Sequence, residues 1–116
     1  MEINWNEDYQ RYRSILKGQR FPLAFVDLDR FDANIDYVAK TQEKTGKTIR
    51  VASKSIRCLS LLKRIFEQGS AVYKGILAFT MEEAGFLLEK GLDDIIVAYP
   101  SVQKSDLNLF IKKTKQ

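Results

Sequence analysis

The chain has 116 residues, a net charge of +4, one cysteine and no histidine. That length suits one small domain with a single core. Without histidine, Ser–His–Asp and Cys–His nucleophile systems and His-containing metal sites are excluded within these residues; Cys58 alone makes neither an intrachain disulfide nor a thiolate zinc site.

In chain order, Trp5, Tyr9, Tyr12 and Leu16 recur at helical spacing and predict a short amphipathic helix within an N-terminal segment, residues 1–20. "FPLAFVDLD" then reads as a strand entered at Pro22. Asp29 is the expected cap of a helix that turns Phe31, Ile35 and Val38 inward and that Gly46 stops. "IRVAS" predicts the next strand. "CLSLLKRIFEQG" predicts a helix burying Leu59, Leu62, Ile65 and Phe66, closed at Gly69. "KGILAF" is a strand, and "TMEEAGFLLEKG" a helix opened by Thr80 and Glu83 in capping-box spacing and closed by Gly91. "DIIVAY" is a further strand, ended at Pro100, and "SDLNLFIKK" a last helix with Leu107, Phe110 and Ile111 on its apolar face.

Apolar strands alternating with helices imply a parallel sheet covered by helices. An open doubly wound sheet and a (β/α)8 barrel both fit that rhythm. No strand is followed by a Gly-rich phosphate loop of either standard pattern, which weighs against an ordinary nucleotide-binding fold. A whole barrel takes about 250 residues. The expectation is therefore a partial barrel over residues 21–116, its first three to four β/α units, as the N-terminal part of a longer enzyme.

Lys54 stands where the strand "IRVAS" ends, and the C-terminal ends of barrel strands are where such enzymes keep their chemistry. Partly buried there, an amine is a nucleophile toward an aldehyde. The segments "FPLAFVDLDRFDANI", "IRVASKSIRC" and "GILAFTMEEAGFLLEKGLDDIIVAYP" together resemble the alanine racemase N-terminal-domain superfamily, the fold-type III pyridoxal-phosphate enzymes. The branch they are most similar to is that of the D-threonine aldolases and D-serine dehydratase-like amino acid deaminases. The resemblance spans residues 21–102.

It implies a TIM barrel with pyridoxal 5′-phosphate held by Lys54 as an internal aldimine, and deamination, retro-aldol cleavage or racemisation of a D- or β-hydroxy amino acid. It also implies that most of the phosphate and pyridine contacts, and any divalent-metal ligands, lie outside this chain. The aldolase pattern His-x-Lys-Thr-His-Lys is replaced here by Ala52-Ser53-Lys54-Ser55-Ile56-Arg57. Both histidines are lost, which leaves substrate and metal dependence open. Cys58 stands where the racemases proper keep an aromatic residue that helps hold the phosphate.

Beside Lys54, Arg57 suits an anion, either a substrate carboxylate or the cofactor phosphate. Tyr99, at the end of the fourth predicted strand, is a candidate to stack on or bond to the ligand. Asp27 and Asp29 share a strand face, but a helix cap explains Asp29 better than acid–base chemistry.

Eight basic residues against Glu43 alone, between Lys40 and Arg64, read as solvated charge, and no aromatic platform interleaves them for nucleic acid. The expected partners are an amino acid substrate and either a second copy of the chain or a missing C-terminal half, with no nucleic acid and no membrane. One cysteine and no long apolar run point to the cytoplasm. The competing reading is a non-catalytic truncated barrel that at most binds pyridoxal phosphate weakly or pairs with a separately encoded second half.

Overall fold

The computed structural model describes residues 4–69 and 71–115; Met1 to Ile3 of the N-terminal segment and Gln116 of the tail lie outside the described residues. Helix α1 covers Trp5–Ile15 and α2 Leu28–Glu43; strand β1 (Ile49–Ala52) follows, then a 3-10 turn over Ser53–Ser55. Helix α3 (Leu59–Gln68), β2 (Tyr73–Ala78), α4 (Met81–Glu89), β3 (Ile95–Val97) and α5 (Lys104–Thr114) complete the order.

The three strands form one parallel sheet in the order β1-β2-β3. Val51, Ile76 and Ala78 face a core shared with Ile35 of α2, Leu62 and Ile65 of α3, and Ala84 and Leu87 of α4. Ile76 and Ala78, at 1% and 0% exposed, lie at its centre. The opposite row, Ala52, Leu77 and Ile96, is in register across the sheet, and Ile96 is 52% exposed. A parallel sheet is ordinarily covered on both faces; here the core helices pack on one.

This overturns the partial-barrel expectation: the sheet is open, with three strands, and β1 and β3 are its edges. The predicted first strand is the physical reason. Residues 23–27 carry strand-like alternation but belong to no strand of the sheet. The Phe25 ring packs on Tyr12 at 5.1 Å between centroids, and the Asp27 carboxylate accepts a 2.6 Å bond from the Tyr12 hydroxyl and pairs with Arg11 at 3.2 Å. The segment therefore binds α1 instead of a neighbouring strand. Phe25 and Val26 stay about half exposed.

Asp27, not Asp29, caps α2: its Oδ1 accepts from the Arg30 amide at 3.2 Å. With that start, Ile35 and Ala39 turn inward and Val38 stays exposed. The α1 helix docks by charge more than by apolar contact. Trp5 and Tyr9 are exposed, while Arg30 donates to both oxygens of Asp8 at 2.6 Å. A bidentate pair, Arg64 Nε and Nη2 on the two oxygens of Asp32 at 2.6 Å, ties α3 to α2.

The last helix also differs from its prediction. Leu109 packs against Gly85, and the Lys113 ammonium donates to Glu89 at 2.7 Å, so α5 meets α4 through these positions. Leu107, Phe110 and Ile111 are left exposed.

A bulge sits between β1 and β2, because Ile49 pairs with Tyr73 but Val51 with Ile76. Gly75 occupies it at φ +77°, and the Arg50 side chain crosses over it to the Asp94 carbonyl and carboxylate. A Cβ at Gly75 would overlap both the guanidinium and that carbonyl. Gly75→Ala is expected to lower stability by about 1–3 kcal/mol from the left-handed backbone alone. It will show as a lower urea midpoint at unchanged slope.

The Tyr12 hydroxyl and then the Arg30 amide hold the Asp27 carboxyl below the usual carboxylate range. A depressed folded-state value contributes stability above the unfolded pKa of about 3.9 and loses it as the pH falls through the folded value. The Tyr12 ring resonances are accordingly expected to shift toward their free-peptide positions on acidification. In Asp27→Asn this acid transition will be missing.

Candidate functional site

The C-terminal ends of the three strands bring the chemistry together. Because Ala52 pairs with Leu77 and Ala78 with Val97, the residues just beyond the strands become neighbours in space. Lys54 follows β1, Phe79 follows β2 and Tyr99 follows β3. The Lys54 ammonium lies 5.6 Å from the Phe79 ring centroid and the Arg57 guanidinium 5.8 Å from it, both within cation–π range. The Tyr99 ring meets Phe79 edge-on at 4.9 Å, and the Tyr99 amide donates to the Phe79 carbonyl at 3.2 Å. All three site residues read from the sequence thus converge on one aromatic ring.

Phe79 itself was not singled out by the sequence reading. The signal was present: an aromatic residue directly after "ILA", at the strand end that lies between the other two.

Each member is fixed from beneath. Ser53 is fully buried, and its hydroxyl donates to the Leu77 carbonyl at 3.2 Å. Its own carbonyl accepts from the Ile56 amide at 3.0 Å and the Arg57 amide at 2.8 Å, which closes the turn carrying Lys54. Arg57 is forced to φ +47°, a region that side-chain-bearing residues seldom occupy, and its Nε donates back to the Lys54 carbonyl at 3.3 Å. Glu83 accepts from the Phe79 amide at 2.6 Å, while Thr80 Oγ1 accepts from the Glu83 amide at 3.3 Å. Glu83 therefore anchors the platform, and its partner is the residue before the cap.

Lys54 is exposed, where the sequence reading expected partial burial. With the far face of the sheet uncovered, nothing among the described residues shields it from water. Tyr99 is 62% exposed. A cleft of about 300 Å³ adjoins the platform, sharing Arg57 and Phe79 and walled by Cys58, Leu59, Thr80 and Phe86. Asp27 and Asp29 take no part; they are engaged with α1 and Arg11. Among the described residues no three Cys, Asp or Glu side chains come together as metal ligands would.

Chemically, the arrangement offers one primary amine, one guanidinium and two aromatic rings at a sheet end. An amine and a guanidinium over one ring suit a planar ligand that carries both a carbonyl and an anionic group.

No protein-family model, curated protein or solved structure matches the chain.

The left-handed backbone at Arg57 gives a direct test of the site's geometry. Arg57→Gly is expected to be more stable than Arg57→Ala by about 1 kcal/mol, because only glycine escapes the Cβ penalty there. Urea unfolding of the two variants reads the difference. Equal midpoints would show that the turn does not hold residue 57 in that conformation.

Proposed function

We propose that this chain carries the cofactor-holding lysine of a pyridoxal-phosphate-dependent enzyme that acts on amino acids, with Lys54 as the attachment point. The observation that carries the reading is the placement of Lys54 and Arg57 over the single Phe79 ring, 5.6 and 5.8 Å from its centroid. The motif resemblance to the alanine racemase N-terminal-domain superfamily supports the same lysine, and its D-threonine aldolase and deaminase branch supports a D- or β-hydroxy amino acid as substrate.

When bound, pyridoxal phosphate supplies an electron sink for the pair released as a bond at the substrate Cα breaks. The chain's own residues do the rest. Lys54 Nζ would be the group that holds the cofactor's aldehyde carbon, and as a free amine it would be able to take or return a proton at the substrate Cα. Arg57 is the cation for the anionic end of the ligand, held in place by its bonds to Ser53 and Lys54 rather than left to swing. Phe79, pinned by Glu83, gives the ligand a rigid apolar surface, and Tyr99 brings a hydroxyl to its rim.

A second reading is a chain that binds the cofactor without turning substrate over. The exposure of Lys54 favours it, because a water-filled site neither strengthens its charged contacts nor protects a carbanion from stray protons. Among the described residues no helix is long and apolar enough to cross a membrane. A cytoplasmic location remains part of the proposal and rests on the single cysteine.

Titration with pyridoxal phosphate is expected to give a saturable visible band that Lys54→Ala abolishes. Borohydride reduction will leave the cofactor's mass on the peptide that contains Lys54. Arg57→Gln is expected to weaken binding by about tenfold, the worth of one charge-assisted contact. Equal, non-saturating signals in wild type and Lys54→Ala would refute the assignment. A saturable band without release of product from D-threonine or D-serine would select the second reading.

A further inference from the structure

A second cavity lies away from Lys54. It is an open hollow of about 780 Å³ beside α1 and the turn that follows it, lined by Tyr9, Tyr12, Phe21, Leu16, Arg13 and Lys17 among others. The turn reverses at Gly18, φ +83°, which brings Phe21 back beside the helix. A volume of this size lies within the range of small-molecule sites, about 300–1,000 Å³.

Its charge is one-sided. Arg13 and Lys17 line it, no carboxylate does, and among the described residues neither cation makes an ion pair. The nearby acids are engaged elsewhere: Asp8 with Arg30, and Asp27 with Tyr12 and Arg11. A cation in the last turn suits a helix end. Two unpaired cations beside three aromatic rings exceed what the helix end requires.

We propose that this cavity binds a small planar aromatic carboxylate. Its ring lies among Tyr9, Tyr12 and Phe21, and its carboxylate between Arg13 and Lys17. Rings pack on rings in offset or edge geometry, and a guanidinium paired with an ammonium matches the two oxygens of one carboxylate. The Tyr12 hydroxyl is already donated to Asp27 and its ring already meets Phe25 and the Arg11 guanidinium, so Tyr12 offers the ligand only its remaining edge, and Tyr9 and Phe21 make the principal ring contacts. The site is independent of Lys54 and of any chemistry there.

The test uses the full chain with 1-naphthoate as probe and 1-naphthalenemethanol, which has the same rings without the charge, as control. Ring-selective NMR follows Tyr9 and Phe21. Saturable shifts at both residues, with 1-naphthoate bound about fivefold or more tighter than the alcohol, are expected. The double variant Arg13→Gln/Lys17→Gln should remove that preference while leaving the far-ultraviolet circular dichroism unchanged, since both side chains are exposed. Equal binding of the two probes would reduce the cavity to an apolar patch and overturn the proposal. A preference that survives the double variant, or an absence of shifts at Tyr9 and Phe21, would also overturn it.

Discussion

The central strand is the constraint on which the rest of this structure depends. β2 is hydrogen-bonded on both sides, to β1 and to β3, and it carries the two most completely buried apolar positions, Ile76 and Ala78. Helices α2, α3 and α4 meet around that strand, so their apolar faces have one common target. Parallel pairing also sets the geometry of the candidate site. Strands that run the same way end at the same edge, and the residue after each end is brought beside its neighbours without a dedicated loop. Lys54, Phe79 and Tyr99 are together for that reason.

The platform at that edge sets a strained turn and a buried polar residue against a stabilising helix cap. Arg57 sits in a left-handed conformation, and Ser53 is a buried polar residue in an apolar surround, satisfied by the Leu77 carbonyl. Glu83 spends its carboxylate on the Phe79 amide. The Phe79 ring faces two cations, and an aromatic face offsets part of their mutual repulsion. The uncovered side of the sheet, with Ile96 half exposed, leaves the platform open to solvent.

The N-terminal region follows different physics. There α1 is fastened by Asp8–Arg30 and by Tyr12 and Arg11 on Asp27, in a layer where most apolar side chains remain at the surface. Pairs of this kind are individually weak and depend on pH and salt. The same charges determine the fate of residues 23–27: an apolar, strand-like segment binds to a helix through Phe25 and Asp27 and takes no place in the sheet.

Much of the element order was legible from residues alone. Helical spacing in "SLLKRIF" and the Thr80–Glu83 pair located α3 and α4, and the apolar runs located β1, β2 and β3, because amphipathic period and capping are local properties. Three features were not local and could not be read this way. Whether "LAFVDLD" joins a sheet depends on which partner claims Phe25 and Asp27, and that partner is fifteen residues away at Tyr12. Which side of α5 is buried depends on the space that Gly85 leaves for Leu109, so the obvious stripe of Leu107, Phe110 and Ile111 faces outward. The role of Phe79 depends on the register of three strands. The sequence by itself determined the helices, the strands β1, β2 and β3, and that a lysine stands at a strand end. Tertiary structure alone decided that the sheet stays open and that Lys54, Arg57 and Tyr99 share one ring, because strand pairing and register are contacts between residues distant in the chain.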